Sequence, residues 1–333
     1  MTRAASRIVS GMRPTGRLHL GHLLGTLSTW RTLQASHECF FFVADWHALT
    51  TDYDRTEGLA TNVVEMVTDW IASGIDPERA TIFVQSSVPE HAELHLLLSM
   101  ITPLGWLERV PTYKETQQQL GDRDLATYGF LGYPVLQAAD ILMYRATTVP
   151  VGADQVPHVE LTREIARRFN HVFGAIFPEP QALLAAAPRV PGLDGRKMSK
   201  SYNNAVFLAD DAAEVKAKLS RMMTDTRRAR RRDPGDPSDC PAYTLHRIYC
   251  TPDELALTAE GCRTASIGCL DCKQIMIARA EVELGPIRER RRALAARPDD
   301  VRDVIAHGTS RARAAAEETM AQVRKLVGLG GGA

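Results

Sequence analysis

The sequence predicts an α/β fold, a doubly wound parallel sheet followed by a helical region. Three observations point there. Short runs, CFFFVA at residues 39–44 with both faces apolar and TIFVQ at 81–85, read as buried strands. Stretches of helical period and length separate them, as βαβ crossovers require. Beyond about residue 205 no convincing strand signal remains, and only helical patterns continue.

Taken in order, residues 7–10 form a β-type run, followed by a glycine-punctuated turn and an apolar-periodic helix over 21–34. The strand 39–44 comes next, then a helix over 57–73 that Gly74 and Asp76-Pro77 bring to an end. Strand 81–85 and helix 89–101 repeat the unit, and a later one comprises helix 133–144, strand 149–151 and helix 158–170. From Phe177 the texture changes to a Pro/Ala-rich segment, FPEPQALLAAAPRVPGLDG, to which no element is assigned. Helices are expected over 210–223 and 301–327, the second interrupted at His307-Gly308. The expected division is residues 1–205 and 206–333, with the last helix folding back on the first part. No internal repeat or extended low-complexity tract stands out.

At 333 residues the chain has room for about two domains. It is 44% apolar and 24% charged, an ordinary globular profile. Forty Lys plus Arg balance forty Asp plus Glu, so any nucleic acid must be held by a local patch rather than by net charge. Neither a membrane nor DNA is an expected partner. The longest apolar runs are far too short to span a bilayer, and residues 1–7 lead into no signal-type apolar core. A cytoplasmic protein is the expectation.

Chemistry concentrates in two motifs. Residues 11–25, GMRPTGRLHLGHLLG, place a Gly/Pro-rich turn between a strand and a helix, where backbone amides approach phosphate. Within it His19 and His22 stand three apart at a helix start and can face one anion, while Gly21 keeps the backbone clear. Alone, two such histidines are as readily capping or surface residues. The second motif is Lys197-Met198-Ser199-Lys200-Ser201, preceded by Asp194-Gly195-Arg196. Two ammonium groups on a polar loop suit charge that develops in a transition state, although a short KxxK is usually a solvated loop.

The two motifs in this order resemble the class I aminoacyl-tRNA synthetases. The segments SGMRPTGRLHLGH, DWHALT, YPVLQAADIL, VPVGADQVPHVELTREIARRFN and GRKMSKS resemble the bacterial tryptophanyl-tRNA synthetases over nearly the whole chain. The resemblance implies a Rossmann-like ATP- and tryptophan-binding domain and a helical tRNA anticodon-binding domain. It implies that L-tryptophan is activated by ATP with Mg²⁺ and passed to the 2′-hydroxyl of the terminal adenosine of tRNA(Trp), by a homodimer. His19, His22, Lys197 and Lys200 carry over as the catalytic set. Arg13, Pro14 and Thr15 match the turn beside the triphosphate, with Lys114 adding charge there. Gly152, Ala153 and Asp154 match the ribose-binding turn, Ala153 replacing the family's usual acidic residue, and backbone at Val190 approaches adenine. Gly21, Met198, Ser199 and Ser201 belong to the same ATP-binding set. Asp140 carries over as acceptor for the single indole N–H, a donor-only group, with Tyr133, Gln137 and Gln155 as candidates for the substrate's ammonium and carboxylate. Gln137 stands where many tryptophanyl enzymes have Met and resembles tyrosyl ones, which keeps tyrosine–tRNA ligase as the nearest rival. A non-catalytic tRNA-binding or redox-responsive paralogue is the rival of a different class, and it has no use for both phosphate motifs.

Five of six cysteines crowd the last third of the chain. Cys262-x6-Cys269-x2-Cys272 places three thiolates around one centre, with Cys240 preferred as the fourth ligand and Cys250 its competitor. Spacing alone allows Zn²⁺, an iron–sulfur cluster or plain reduced thiols. EGCRTASIGCLDCK resembles a bacterial tryptophanyl subgroup with a C-terminal [4Fe–4S] cluster, here with a first interval one residue short. The run Arg227-Arg228-Ala229-Arg230-Arg231-Arg232 is the strongest local positive patch and the expected place of tRNA phosphate contact.

Overall fold

The computed structural model describes residues 6–110, 126–184 and 189–329. Five parallel strands, β1 (Arg7–Met12), β2 (Glu38–Val43), β3 (Ala80–Val84), β4 (Thr148–Val151) and β5 (Gln181–Leu184), lie in the order β3-β2-β1-β4-β5. Between them run α1 (Leu20–His22), α2 (Ser28–Leu33), α3 (Asp45–Asp52), α4 (Leu59–Ala72), α5 (Glu90–Ile101), α6 (Leu104–Leu107), α7 (Tyr128–Met143) and α8 (Val156–Phe173). After the sheet come α9 (Ala212–Arg221), α10 (Pro241–Tyr249), α11 (Pro252–Arg263), α12 (Cys269–Ala295) and α13 (Pro298–Leu326). This is the expected class I, Rossmann-like arrangement of a wound sheet with a helical C-terminal region.

Two-residue alternation along the strands explains why the sheet is covered twice. Ile8, Cys39, Phe41, Val43 and Ile82 point into one core with Trp30, Trp70 and Met276. Val9, Phe40, Phe42 and Phe83 point into the other with Leu142, Tyr144 and Phe169. Trp30 stacks on Phe41 at 4.2 Å between centroids and meets Trp70 edge-on at 4.9 Å. The fully apolar run CFFFV at residues 39–43 follows from having a core on each side.

Three local expectations need correction. The segment after Phe177 contains β5, an edge strand pairing in parallel with β4; its Gln, Ala and Leu residues are neither β-branched nor aromatic and lie mostly at the surface, so no alternating signal marks it. The helix after His19 is not uniform: Leu23–Leu27 form a π-type turn between α1 and α2, the kind of irregularity often found beside functional sites. α13 runs unbroken through His307-Gly308. Gly308 is there for proximity rather than for a break, since a Cβ on it would fall 1.8 Å from the Ile82 carbonyl oxygen.

That contact lays α13 against β3, the edge strand, and shields it from pairing with another chain. Val301 belongs to one core, and Ala312, Ala316 and Met320 to the other, so one helix closes both. Gly308→Ala forces helix and strand apart. Overpacking of this kind costs about 1–3 kcal/mol, read as a lowered urea midpoint; an unchanged midpoint would contradict the close approach.

Candidate active site

β1 ends at Met12, whose carbonyl accepts the Ala44 amide at 2.9 Å, and the chain turns through Arg13, Pro14 and Thr15. This is the carboxyl end of the strands, where open α/β sheets bind ligands. Gly16 follows with φ +109°, a left-handed value suited to glycine. Residues 18–20 then pair antiparallel with 206–208. The Leu20 amide donates to the Val206 carbonyl at 3.0 Å and the Leu208 amide to the Leu18 carbonyl at 2.9 Å, with His19 opposite Phe207. That short ladder joins the two motifs, which are far apart in sequence.

The rings of His19 and His22 stand 4.0 Å apart. His19 Nδ1 accepts the Gly21 amide at 3.1 Å, and His22 Nδ1 accepts the His19 amide at 3.2 Å. An accepting nitrogen carries no proton, so each neutral ring keeps Nε2–H as its donor. Burial first, then Lys200 and Lys197, pushes His19 down to about 4. Burial, His19 and Lys200 push His22 down to about 3. Both are neutral at pH 7. Gly21 makes room for an imidazole, because a Cβ there would lie 2.9 Å from His19 Cε1.

The lysine motif forms a hairpin closed on one buried amide. Asn204 Oδ1 accepts the Ser199 amide at 2.8 Å, and its Nδ2 donates to Asp194 Oδ1 at 2.7 Å and to the Lys197 carbonyl at 3.2 Å. Val190 is buried and accepts the Met198 amide at 3.0 Å, while the Met198 side chain enters the core. Ser199 and Ser201 hydroxyls meet at 2.8 Å. Lys200 Nζ reaches across to the Thr15 carbonyl and hydroxyl at 2.9 and 3.2 Å. Burial and the neighbouring Arg13 lower its pKa. Arg13, Pro14, Thr15, His19, His22, Lys197 and Lys200 are therefore gathered into one locality. Lys114 lies outside the described residues.

Asp140 sits on α7 and is 1% exposed. His47 Nε2 lies 2.8 Å from its Oδ2, His91 Nδ1 2.6 Å from its Oδ1, and Gln85 Nε2 donates to both oxygens at 2.8 and 3.0 Å. Burial pushes this carboxyl up, but the bonds from His47 and His91 outweigh it and hold it below its ordinary value. His91 Nε2 in turn meets the Tyr144 hydroxyl at 2.7 Å. Tyr133, two turns back on α7, meets His158 Nε2 at 2.7 Å, and Gln137 lies half-buried between them in sequence. After β4, Gly152, Ala153 and Asp154 form an exposed turn in which Gln155 Nε2 donates to Asp154 Oδ2 at 3.0 Å.

Cys240, Cys262, Cys269 and Cys272 line one small cavity with His246, Arg228 and Lys273, of about 20 Å³ and partly open to solvent. Cys250 is not in that lining; its sulfur lies 3.4 Å from His246 Nδ1, and Cys272 takes the other ring nitrogen at 3.4 Å. Among the described residues, no three or more His, Cys, Asp or Glu side chains stand at metal-holding separations. Burial and the neighbouring sulfurs push Cys272 up to about 12. The arginine run divides: Arg228 turns inward and donates to the Arg231 and Ile267 carbonyls, while Arg227 is bound by Asp225 and Asp239. Arg227, Arg230, Arg231 and Arg232 all remain exposed, but Arg231 too faces a carboxylate, Asp271 at 3.5 Å, which leaves Arg230 and Arg232 as the outward pair.

Sequence reasoning missed His47, Gln85, His91, Asn204 and His246. His47 lies inside DWHALT and Asn204 just after KMSKS, so proximity to a motif was the available signal. Nothing local marks Gln85, His91 or His246.

Comparison with known proteins bears on this geometry. The family model for class I tRNA synthetases (W and Y) matches residues 1–281. The tryptophan–tRNA ligase of Thermotoga maritima is 54% identical, with 97% of this chain and 99% of that protein covered. That of Ralstonia nicotianae is 47% identical over 97% and 98%. A crystal structure of tryptophanyl-tRNA synthetase from Campylobacter jejuni, complexed with ADP and tryptophan, superposes with a TM-score of 0.88 at 31% identity, covering 97% of this chain and all of that one.

The buried histidines set a pH dependence of stability. His19 and His22 are joined by His158 and His246, each lowered by burial to about 4. Between pH 6.5 and about 4 the unfolded chain binds protons that the folded chain refuses. This contribution is therefore complete above 6.5 and is lost as pH falls. Melting curves should show a lower Tm at pH 5 than at pH 7.5; a Tm that rose on acidification would contradict the assignment.

Proposed function

The chain belongs to the class I tRNA synthetases, among the tryptophan–tRNA ligases, and we propose that the locality built by His19, His22, Lys197 and Lys200 is its adenylate-forming site. The observation that carries this is the 18–20/206–208 ladder, which brings a neutral histidine pair and two lysines beside the Arg13–Thr15 turn. In the reaction the tryptophan carboxylate attacks the α-phosphorus of ATP. The bond to the bridging oxygen breaks, pyrophosphate leaves, and tryptophanyl-adenylate forms. The 2′-hydroxyl of the terminal tRNA adenosine then takes the acyl group and releases AMP.

Little proton transfer is needed, so positioning and charge stabilisation supply most of the rate. His19 and His22 donate Nε2–H to phosphate oxygens without adding charge. Lys197 and Lys200 neutralise the departing pyrophosphate, with Mg²⁺ accompanying ATP. Lys200 leaves Thr15 to do so, exchanging a neutral acceptor for an anionic one. Asp154 binds the ribose hydroxyls, with Gly152 and Ala153 shaping the turn, and backbone at Val190 meets adenine. Asp140 accepts the indole N–H. Its lone pairs are already occupied, and His47, at 12% side-chain exposure the accessible partner, is the donor that indole replaces. Tyr133, Gln137 and Gln155 hold the substrate's ammonium and carboxylate.

Residues 206–333 form the tRNA-facing part, with Arg230 and Arg232 among the phosphate contacts. The exposed apolar residues Leu96, Met100, Leu104 and Tyr128 support a dimer interface on α5, α6 and the start of α7. No helix of the described residues is long and apolar enough to cross a membrane. Cys240, Cys262, Cys269 and Cys272 are proposed to hold a [4Fe–4S] cluster, which would tie the surrounding helices together. Two features support a fit. The four sulfurs share a cavity, and the buried Nε of Arg228 in its wall makes no hydrogen bond of normal geometry.

Tryptophan-dependent ATP–pyrophosphate exchange tests the whole assignment. Lys200→Ala should lower kcat about 10²–10³-fold, as loss of a transition-state charge does. Asp140→Ala should raise the KM for tryptophan at least about tenfold with the KM for ATP unchanged, the loss of a charged hydrogen bond. Exchange with tyrosine alone would overturn the substrate. For the cysteine centre, anaerobically purified protein should contain iron and acid-labile sulfide in equal amounts, both lost in Cys262→Ser, and should sediment as a dimer. Zinc without sulfide would replace the cluster reading.

A further inference from the structure

We propose that Lys273 is a positioning residue for the Lys197–Lys200 hairpin, fastening the wall of the cysteine cavity to the hairpin's base so that the state of the cavity is felt at ATP. The proposal rests on the reading of that hairpin as the pyrophosphate-binding element. Lys273 follows Cys272 on α12, lines the cavity and is only 6% exposed. Its Nζ donates to two carbonyls at the end of α9, Ser220 at 2.7 Å and Met222 at 2.6 Å. The next residue, Met223, gives its amide to the Leu193 carbonyl at 2.7 Å, and Leu193 gives its own to the Asn204 carbonyl at 2.9 Å. Asn204 is the amide on which the hairpin closes.

A second contact runs beside the first. Gly195 turns the hairpin at φ +80°, and a Cβ there would lie 3.0 Å from Pro241 Cγ and 3.2 Å from Met223 Sδ. Pro241 directly follows Cys240 and begins α10. The hairpin therefore rests on two residues, and each is anchored by a group in the cavity wall: Met223 through Lys273, and Pro241 through Cys240. A lysine that merely capped α9 would bind the same carbonyls but would not be followed by the Met223–Leu193–Asn204 chain. Burying an ammonium is costly unless it is well partnered, so displacing the sulfurs beside Lys273 disturbs both the lysine and the carbonyls it holds.

Lys273→Met, Lys273→Arg and Pro241→Ala separate positioning from folding. In the full-length protein, Lys273→Met should raise the KM for ATP by about tenfold, the penalty of a slightly misplaced reactive group, and leave the KM for tryptophan unchanged. Amide hydrogen exchange over residues 193–204 should quicken, and Lys273→Arg should restore most of both. Pro241→Ala should shift the same two readouts by a smaller factor. It decides the matter if Lys273→Met does not fold, since alanine is well tolerated at the first position of a helix. A folded Lys273→Met with wild-type ATP KM and unchanged exchange over 193–204 overturns the proposal, as does an unaffected Pro241→Ala if the first variant is unfolded. Wild-type protein inactive in tryptophan-dependent exchange would sink the functional reading instead, while the hydrogen-exchange comparison would still judge Lys273.

Discussion

The antiparallel pairing of residues 18–20 with 206–208 is the constraint on which the site depends. Two backbone bonds, Leu20 to Val206 and Leu208 to Leu18, hold the histidine turn against the strand leaving the lysine hairpin. Backbone pairing is directional and local, so it fixes position far better than attraction between charges could. Charge works against this assembly, because Arg13, Lys197 and Lys200 repel one another. The ladder and the cores beneath it must therefore keep together groups that would separate in solution, leaving a site organised for an anion.

Burial settles the protonation of that site. Imidazoles close to two lysines and shielded from water stay neutral, and their Nδ1 atoms are committed to backbone amides. Each then offers one N–H in a defined direction. The pocket around Asp140 uses the opposite device. Asp140 stays ionised in a dry position because His47, His91 and Gln85 hydrogen-bond it. Both halves obey one rule: a buried polar group must be either neutral or fully partnered.

The C-terminal helices are part of the same mechanical unit. Arg291 on α12 reaches Asp69 on α4 at 2.6 Å, and Asp69 accepts the Leu18 amide at 3.4 Å, beside the ladder. Burial raises Asp69 to about 6 even against the opposing pull of Arg291. Arg290 donates to the Ala72 carbonyl at 2.7 Å, and Arg31 meets Glu283 at 3.0 Å. One long helix thus touches the cysteine cavity at its start and the support of the histidine turn near its end.

Local order was readable from the chain. The runs CFFFVA and TIFVQ announced strands with a core on each side, and His19-x-x-His22 with Lys197-x-x-Lys200 marked the two motifs that the 18–20/206–208 ladder brings together, because these signals lie within a few neighbouring residues. β5 was silent, since an exposed edge strand of Gln, Ala and Leu buries too little to impose alternation. Gly308 looked like a helix break, and only the strand packed against it reveals a close approach. The arginine run read as one patch, yet Arg228 turns inward to carbonyls beside the cysteines and Arg227 is spent on Asp225 and Asp239. His91, Gln85 and Asn204 carry no local mark because their roles are defined by partners far along the chain. The sequence by itself determined which residue types and elements exist; the tertiary structure decided which of them meet. The physical reason is that periodicity and motif are properties of neighbours in sequence, whereas hydrogen-bond satisfaction and desolvation depend on neighbours in space.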